Sequence, residues 1–402
     1  MAVTRLSDLN RNDIEDNGAS TKGSFRVRPS GYQYPNGLKT VAVVEPNTHI
    51  TTTNATINAY GPSSDPTKVS YSWTTTGTFH HNAGFLPVDI LIVAGGGAGH
   101  TADPANGGAG GGGAGGLIYY SDSSGLTGPP GPASANSKSP NGSAFTLESD
   151  TTFTVTVGSG GTASPTPSVP SPVGPGNGQD SSITAPQSIY NLVATGGGCQ
   201  DFGSFPSIVQ PGGSGGGAGP GSNGVGGSGV AGQGNPGGGV TPGSPFGFSG
   251  GGGGGAGGPG SNENDLNLRS GKDGNPAPTL MPGHPGVYND GKRYSSGGDG
   301  LDFDISGTTR TYAAGGGGSG RTFGWFGGSD NLGGRGSGSD GAYNPSTGLT
   351  AQPWSPTNFG GNGTVNRGSG GGGGAYGGNG GSGIVVMQFK KDSTINFTFD
   401  VN

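Results

Sequence analysis

The chain has 402 residues, 97 of them glycine and 31 proline, with 28% hydrophobic residues, 10% charged residues and a net charge of −6. So little apolar material excludes a large oily core, and so little charge excludes a charge-extended coil. The negative sign is wrong for gripping nucleic-acid phosphates, no run reaches the roughly 18 apolar residues of a membrane span, and the lone Cys199 cannot form an internal disulfide.

Glycine loses more backbone freedom on folding than any other residue. A folded chain of this composition therefore needs dense main-chain hydrogen bonding, or a large assembly around it. Residues 1–66 read as an N-terminal attachment segment. Met1–Asp13 lacks the apolar run of a secretory signal. Arg5 to Ile14 predicts a short helix that needs a partner to dock on. Strand texture follows at Thr40–Val44 and from His49 to Tyr60, before the turn cluster Gly61–Pro66.

The body, 67–390, opens with a strand at Val69–Trp73 and a turn at Gly77. Val88-Asp89-Ile90-Leu91-Ile92-Val93-Ala94 then runs straight into Gly95-Gly96-Gly97. The tract 107–116 empties into Leu117-Ile118-Tyr119-Tyr120. Phe153, Val155 and Val157 alternate with Thr, the period of a half-buried strand. Ile189–Thr195 and Thr311–Ala314 again lead into glycine, and 370–383 feeds Ile384–Phe389. Residues 391–402 read as a C-terminal strand, alternating from Ile395 to Val401. No window of the body shows helical periodicity free of Gly or Pro. The predicted fold is all-β: strands alternating with packed polyglycine-type extended helices, without significant α-helix. Such helices turn about every 3 residues and have no internal hydrogen bonds, so they must bond one another. Glycine at every third residue is the expected signature, as in Gly368, Gly371, Gly374, Gly377, Gly380 and Gly383, or Gly212, Gly215, Gly221, Gly224 and Gly227.

The motifs Thr76–Phe79, Val88–Gly97, Gly113–Tyr120, Phe153–Gly158, Leu192–Gly198 and Gly381–Val386 occur in an order that resembles the glycine-rich domain of phage tail and tail-fibre proteins. The style is similar to the tip adhesins of T-even-like phages, which stack polyglycine helices and read host receptors with loops. The resemblance implies a virion protein, made in the host cytoplasm and carried on a tail or surface appendage. It implies binding to a host surface glycan or outer-membrane protein. The N-terminal segment would join other virion proteins, and a homotrimer is the copy number common among fibres. The competing expectation is a purely architectural virion protein, such as a shaft, adaptor or capsid decoration.

Val93 to Gly99 imitates a dinucleotide-binding fingerprint, but His100-Thr101-Ala102-Asp103-Pro104 follows where a helix is required. No cofactor is expected. The histidines are scattered, and His80 and His81 point to opposite faces of a strand, so no metal site is expected. No nucleophile or paired-carboxylate arrangement stands out, and the chain reads as a non-enzyme. The candidate receptor contacts are aromatics in polar, glycine-flanked loops: Arg321, Phe323, Trp325 and Phe326, then Tyr288 and Tyr294, then Trp354. Rings supply rigid contact area, and neighbouring polar groups supply directional bonds. The same rings would alternatively serve as a roof over the glycine layers.

Overall fold

Strand β3 (Leu86–Val93) is buried on both faces, which is why its sequence is a nearly continuous apolar run and not an alternation. Val88, Ile90 and Ile92 enter one cluster, while Leu91 and Val93 enter another on the opposite face. The structure, a computed structural model, describes residues 50–58, 68–82, 86–101, 108–120, 145–147, 150–164, 176–186, 192–201, 208–219, 224–240, 250–262, 295–319, 360–374 and 376–390. All belong to one compact unit, 49–390. A second unit, 1–48 with 391–402, lies outside the described residues, and with it the expected helix near 5–14, the strand at 40–44 and the C-terminal strand.

The main sheet runs β4 (Leu117–Tyr120), β3, β13 (Ile384–Lys390), β2 (Lys68–His81), β6 (Thr151–Thr156), β7 (Ser181–Thr184), β8 (Leu192–Ala194). Strand β1 (Ile50–Asn58) lies along β2, and β5 (Phe145–Leu147) pairs with β3; every pairing is antiparallel. Since β8 returns against β4 and β3, the sheet is a nearly closed barrel. Gly77, expected at a turn, instead continues the strand and pairs with Val155. The irregularity falls on the partner, where the register of β1 shifts between Thr53 and Ala55 and Asn54 takes a φ of 57°. Residues 50–58, read as part of the attachment segment, are thereby built into the sheet.

Inward-facing residues of β2, β3, β6 and β13 fill the barrel. Phe79 stacks on Phe389 with ring centroids 5.3 Å apart, and Tyr71, Trp73 and Phe153 surround Phe79 at 6.2–6.4 Å. On the outer face of β3 lies a hairpin, β11 (Leu301–Phe303) and β12 (Arg310–Tyr312), with Phe303 4.9 Å from Tyr119. Neither β7 nor β11 was expected, because runs as short as Ser-Ser-Ile-Thr and Leu-Asp-Phe carry no readable period. A third pair, β9 (Gln200–Asp201) and β10 (Ile208–Val209), forms a separate small ladder.

Strands β3, β6 and β8 continue directly into the tracts 94–100, 158–164 and 195–199. The tracts 109–116, 176–180 and 376–383 return the chain to β4, β7 and β13. The bonding of 94–100 follows a strict rotation. Ala94, Gly97 and His100 donate N–H to Gly116, Gly113 and Gly110; Gly95 and Ala98 donate to Gln179 and Gly176; Gly96 and Gly99 donate to Gly381 and Gly378, all at 2.8–3.1 Å. Its carbonyls accept from Gly197, Gly161 and Gly371, so the tract is ringed by six others. A new neighbour at each residue and a return after three is the geometry of an extended helix with about 3 residues per turn. The tract 109–116 is likewise ringed by six, donating to 195–199, 250–256 and 368–374 and accepting from 94–100, 212–218 and 313–319.

The every-third-glycine signature does not describe this lattice. The run from Gly368 to Gly383 is two tracts, 368–374 and 376–383, lying antiparallel, since Gly378 donates to Gly372 and Gly381 to Ser369. The run from Gly212 to Gly227 is also split, with Gly227 donating to Gly216. An inner tract has neighbours all round and holds only small residues until its end, where His100 stands in 94–100; an outer tract has a face free for side chains.

Candidate functional site

The direction of each tract follows from its bonds, and the tracts alternate up and down from the barrel. Consequently the barrel end carries the strand junctions. The far end is where tracts reach Thr101, Ser164, Gly219, Val240, Asn262, Ser319 and Gly374, and where they resume at Gly108, Gly176, Gly224, Gly250, Ser295, Gly360 and Tyr376. The residues there are tied to one another. Thr101 Oγ1 donates to the Ser164 carbonyl at 3.3 Å, and Thr101 bridges Gly374. Ala109 bridges Ser319, whose carbonyl also accepts from Gly250. Ser295 Oγ donates to the Gly250 carbonyl, and Gly360 N–H donates to Tyr376. The β9–β10 ladder stands at the same level, because Gln210 N–H bonds the Cys199 carbonyl.

Arg321, Phe323, Trp325, Phe326, Tyr288, Tyr294 and Trp354 all lie outside the described residues, so the structure places none of them and brings none together. What it does locate is the framework from which their segments leave and return. Stretch 263–294 departs after Asn262 and returns at Ser295, and stretch 320–359 departs after Ser319 and returns at Gly360. All four flanking residues are at the far end.

The glycine run after β3 is not a phosphate cradle. Its N–H groups, from Gly95 to Gly99, are all spent on carbonyls of neighbouring tracts, which leaves no donor for a pyrophosphate. His100, which ends this tract, is buried, and loss of water holds its imidazole far below the usual range, at about 3. It is neutral at physiological pH. On β2, His81 is buried and His80 is partly exposed, the opposite-face arrangement expected of neighbours on a strand. Among the described residues, no three His, Cys, Asp or Glu side chains converge as a metal site would require. In the outer hairpin, burial pushes the Tyr312 phenol up, opposed by its hydrogen bond with Ser306 and by Arg310 and Arg367 nearby.

One set of working side chains escaped the sequence reading. Where a tract lacks a neighbour, a polar side chain supplies the missing carbonyl. Asn177 Oδ1 accepts from Cys199 N–H at 3.0 Å, Asp180 Oδ1 from Gly196, Gln233 Oε1 from Thr195, Asn262 Oδ1 from Gly239, and Asn379 Oδ1 from Ala163. Part of the signal was available, since Asn177, Gln233 and Asn379 each stand alone between two glycines; Asp180 and Asn262 do not.

A family model described as a glycine-rich domain matches residues 74–390. No curated protein matches the chain. The matched span begins inside β2 and ends with β13, so it takes in the described tracts and most of the barrel.

Proposed function

The chain belongs to the glycine-rich domain family, and from that premise we propose that it is a structural protein of a phage tail fibre or tail appendage, attaching the virion to a receptor on the host surface. The observation that carries this reading is the one-sidedness of the lattice. The two longest interruptions of the body, 263–294 and 320–359, start and finish at the end away from the barrel. They hold every aromatic residue proposed as a contact. In the inner tracts 94–100 and 250–256 every N–H is spent on a backbone carbonyl, and the lattice serves in this reading as a stiff mount on which variable segments are carried. A rigid scaffold with recognition in its connections is a common division of labour. In this reading the N-terminal segment joins other virion proteins, the target is a glycan or outer-membrane protein, and the protein is carried on the virion.

Replacing Trp325 and Phe326 by Ala in the phage tests it. Two aromatic anchors at about 2 kcal/mol each together correspond to a loss of roughly a thousandfold in receptor affinity, read as a collapse of adsorption. Virions that incorporate the variant normally and still adsorb at the parental rate would sink the receptor role and favour a purely architectural protein. Immunolabelled particles without signal on the tail would remove the tail assignment, and particles without signal anywhere would remove the virion assignment itself.

A further inference from the structure

Inner and outer tracts differ in a way that the fold itself does not require. In 94–100, 109–116 and 250–256 every residue is buried. In three tracts with solvent on one side, exposed residues bearing side chains stand three apart: Ser159 and Thr162, Asn177 and Asp180 (with Gln179 exposed beside the latter), Val225 and Ser228. With three residues per turn, each pair stands in one row along the outer face. Asn177 and Asp180 bond a neighbouring tract, but Val225 is 72% exposed. Internal packing gives no reason for it to be anything but glycine.

An outer polyglycine tract is to this lattice what an edge strand is to a sheet, a row of main-chain groups on which further chain can be laid. Direction offers no protection, because the lattice accepts both: 94–100 runs antiparallel to 109–116 and parallel to 368–374. Close approach is what counts. On the inner side of 224–230, a β-carbon on Gly226 would fall on the Gly237 carbonyl, and one on Gly215 would fall on that of Gly227. Two tracts can bond only where no side chain stands between them.

We propose that the outward rows, Val225 with Ser228 and Ser159 with Thr162, are guards that stop a second copy of this chain from adding its own glycine tracts to the lattice. The face they cover is a latent self-association surface whose complementary partner is another polyglycine tract. The test uses the full chain in two unguarded forms, V225G/S228G and S159G/T162G, beside a control, V225T/S228T, that keeps a side chain at each position. Mass is read by light scattering after size exclusion across a concentration series, with circular dichroism and thermal unfolding to confirm folding. The expected result is a discrete multiple of the parental mass, growing with concentration, for the glycine forms, and the parental mass for the threonine control. Folded glycine forms that keep the parental mass throughout would overturn the proposal, as would a control that associates equally. If one glycine form fails to fold, the other decides.

Discussion

A β-carbon built on Gly97 would fall on the carbonyl oxygen of Gly198, with the Gly197 carbonyl close behind. Backbone, unlike the end of a side chain, has nowhere to go. Gly97→Ala is therefore expected to cost about 3 kcal/mol or more, read as a lowered denaturant midpoint. Gly232 supplies the contrast. Its φ is 81° and nothing lies within 4 Å of a β-carbon placed there. Gly232→Ala should lose only the left-handed penalty of about 1 kcal/mol; equal losses at the two sites would mean that the lattice is not close-packed. His100 makes a second residue-scale prediction. Its folded pKa is about 3, against an ordinary 6.5. Below pH 6.5 the unfolded chain takes up a proton that the folded chain refuses. Stability should thus fall by about 1.4 kcal/mol per pH unit as pH drops from about 6.5 toward about 3. His100→Gln should remove that contribution, so the stability difference between pH 7 and pH 4.5 should shrink relative to the parent.

Among elements, β3 has the most demanding position, with an apolar cluster on each face. The barrel side is shielded by the sheet itself, but the outer side depends on the β11–β12 hairpin. Phe303→Ala should cost about 3–5 kcal/mol and expose Tyr119, which a rise in solvent quenching of tyrosine fluorescence would report. A variant of undiminished stability would show that the hairpin is ornament and not cover. The continuous apolar run of β3 was legible because a strand buried on both faces leaves no position for a polar residue other than a paired one, here Asp89 with Lys68 at 2.6 Å. Thr152 and Thr154 alternating with Phe153 and Val155 made β6 equally legible. β7 was not, since three or four residues hold too little pattern, and its place is set by pairing with β6 and β8 on either side.

Over the whole molecule, stability should be graded from the inside out. Amides of 95–99 and 111–115 are held by tracts on all sides and can open only when the lattice does. Native-state hydrogen exchange should therefore show them at the global limit, with 224–230 exchanging faster because its outer face meets solvent. Uniform protection would contradict a lattice with a distinct interior. The same asymmetry governs function in the reading proposed above, since the stiff interior is what lets segments at one end be presented without collapse.

The amino-acid sequence by itself determined that the protein is all-β, that glycine tracts alternate with strands, and that the tracts must bond one another. Each of these follows from local chemistry: the alternation of side chains, and a backbone too free to order unless its N–H and C=O groups are engaged. Only the tertiary structure decided which tracts lie inside, which direction each runs, and that the two longest interruptions, 263–294 and 320–359, start and finish at the end away from the barrel. Those are properties of pairing between residues hundreds of positions apart, such as Gly96 with Gly381, and polyglycine, having no side chains, carries no code for its partner. The barrel beneath fixes the starting register only of the six tracts continuous with its strands, 94–100, 109–116, 158–164, 176–180, 195–199 and 376–383.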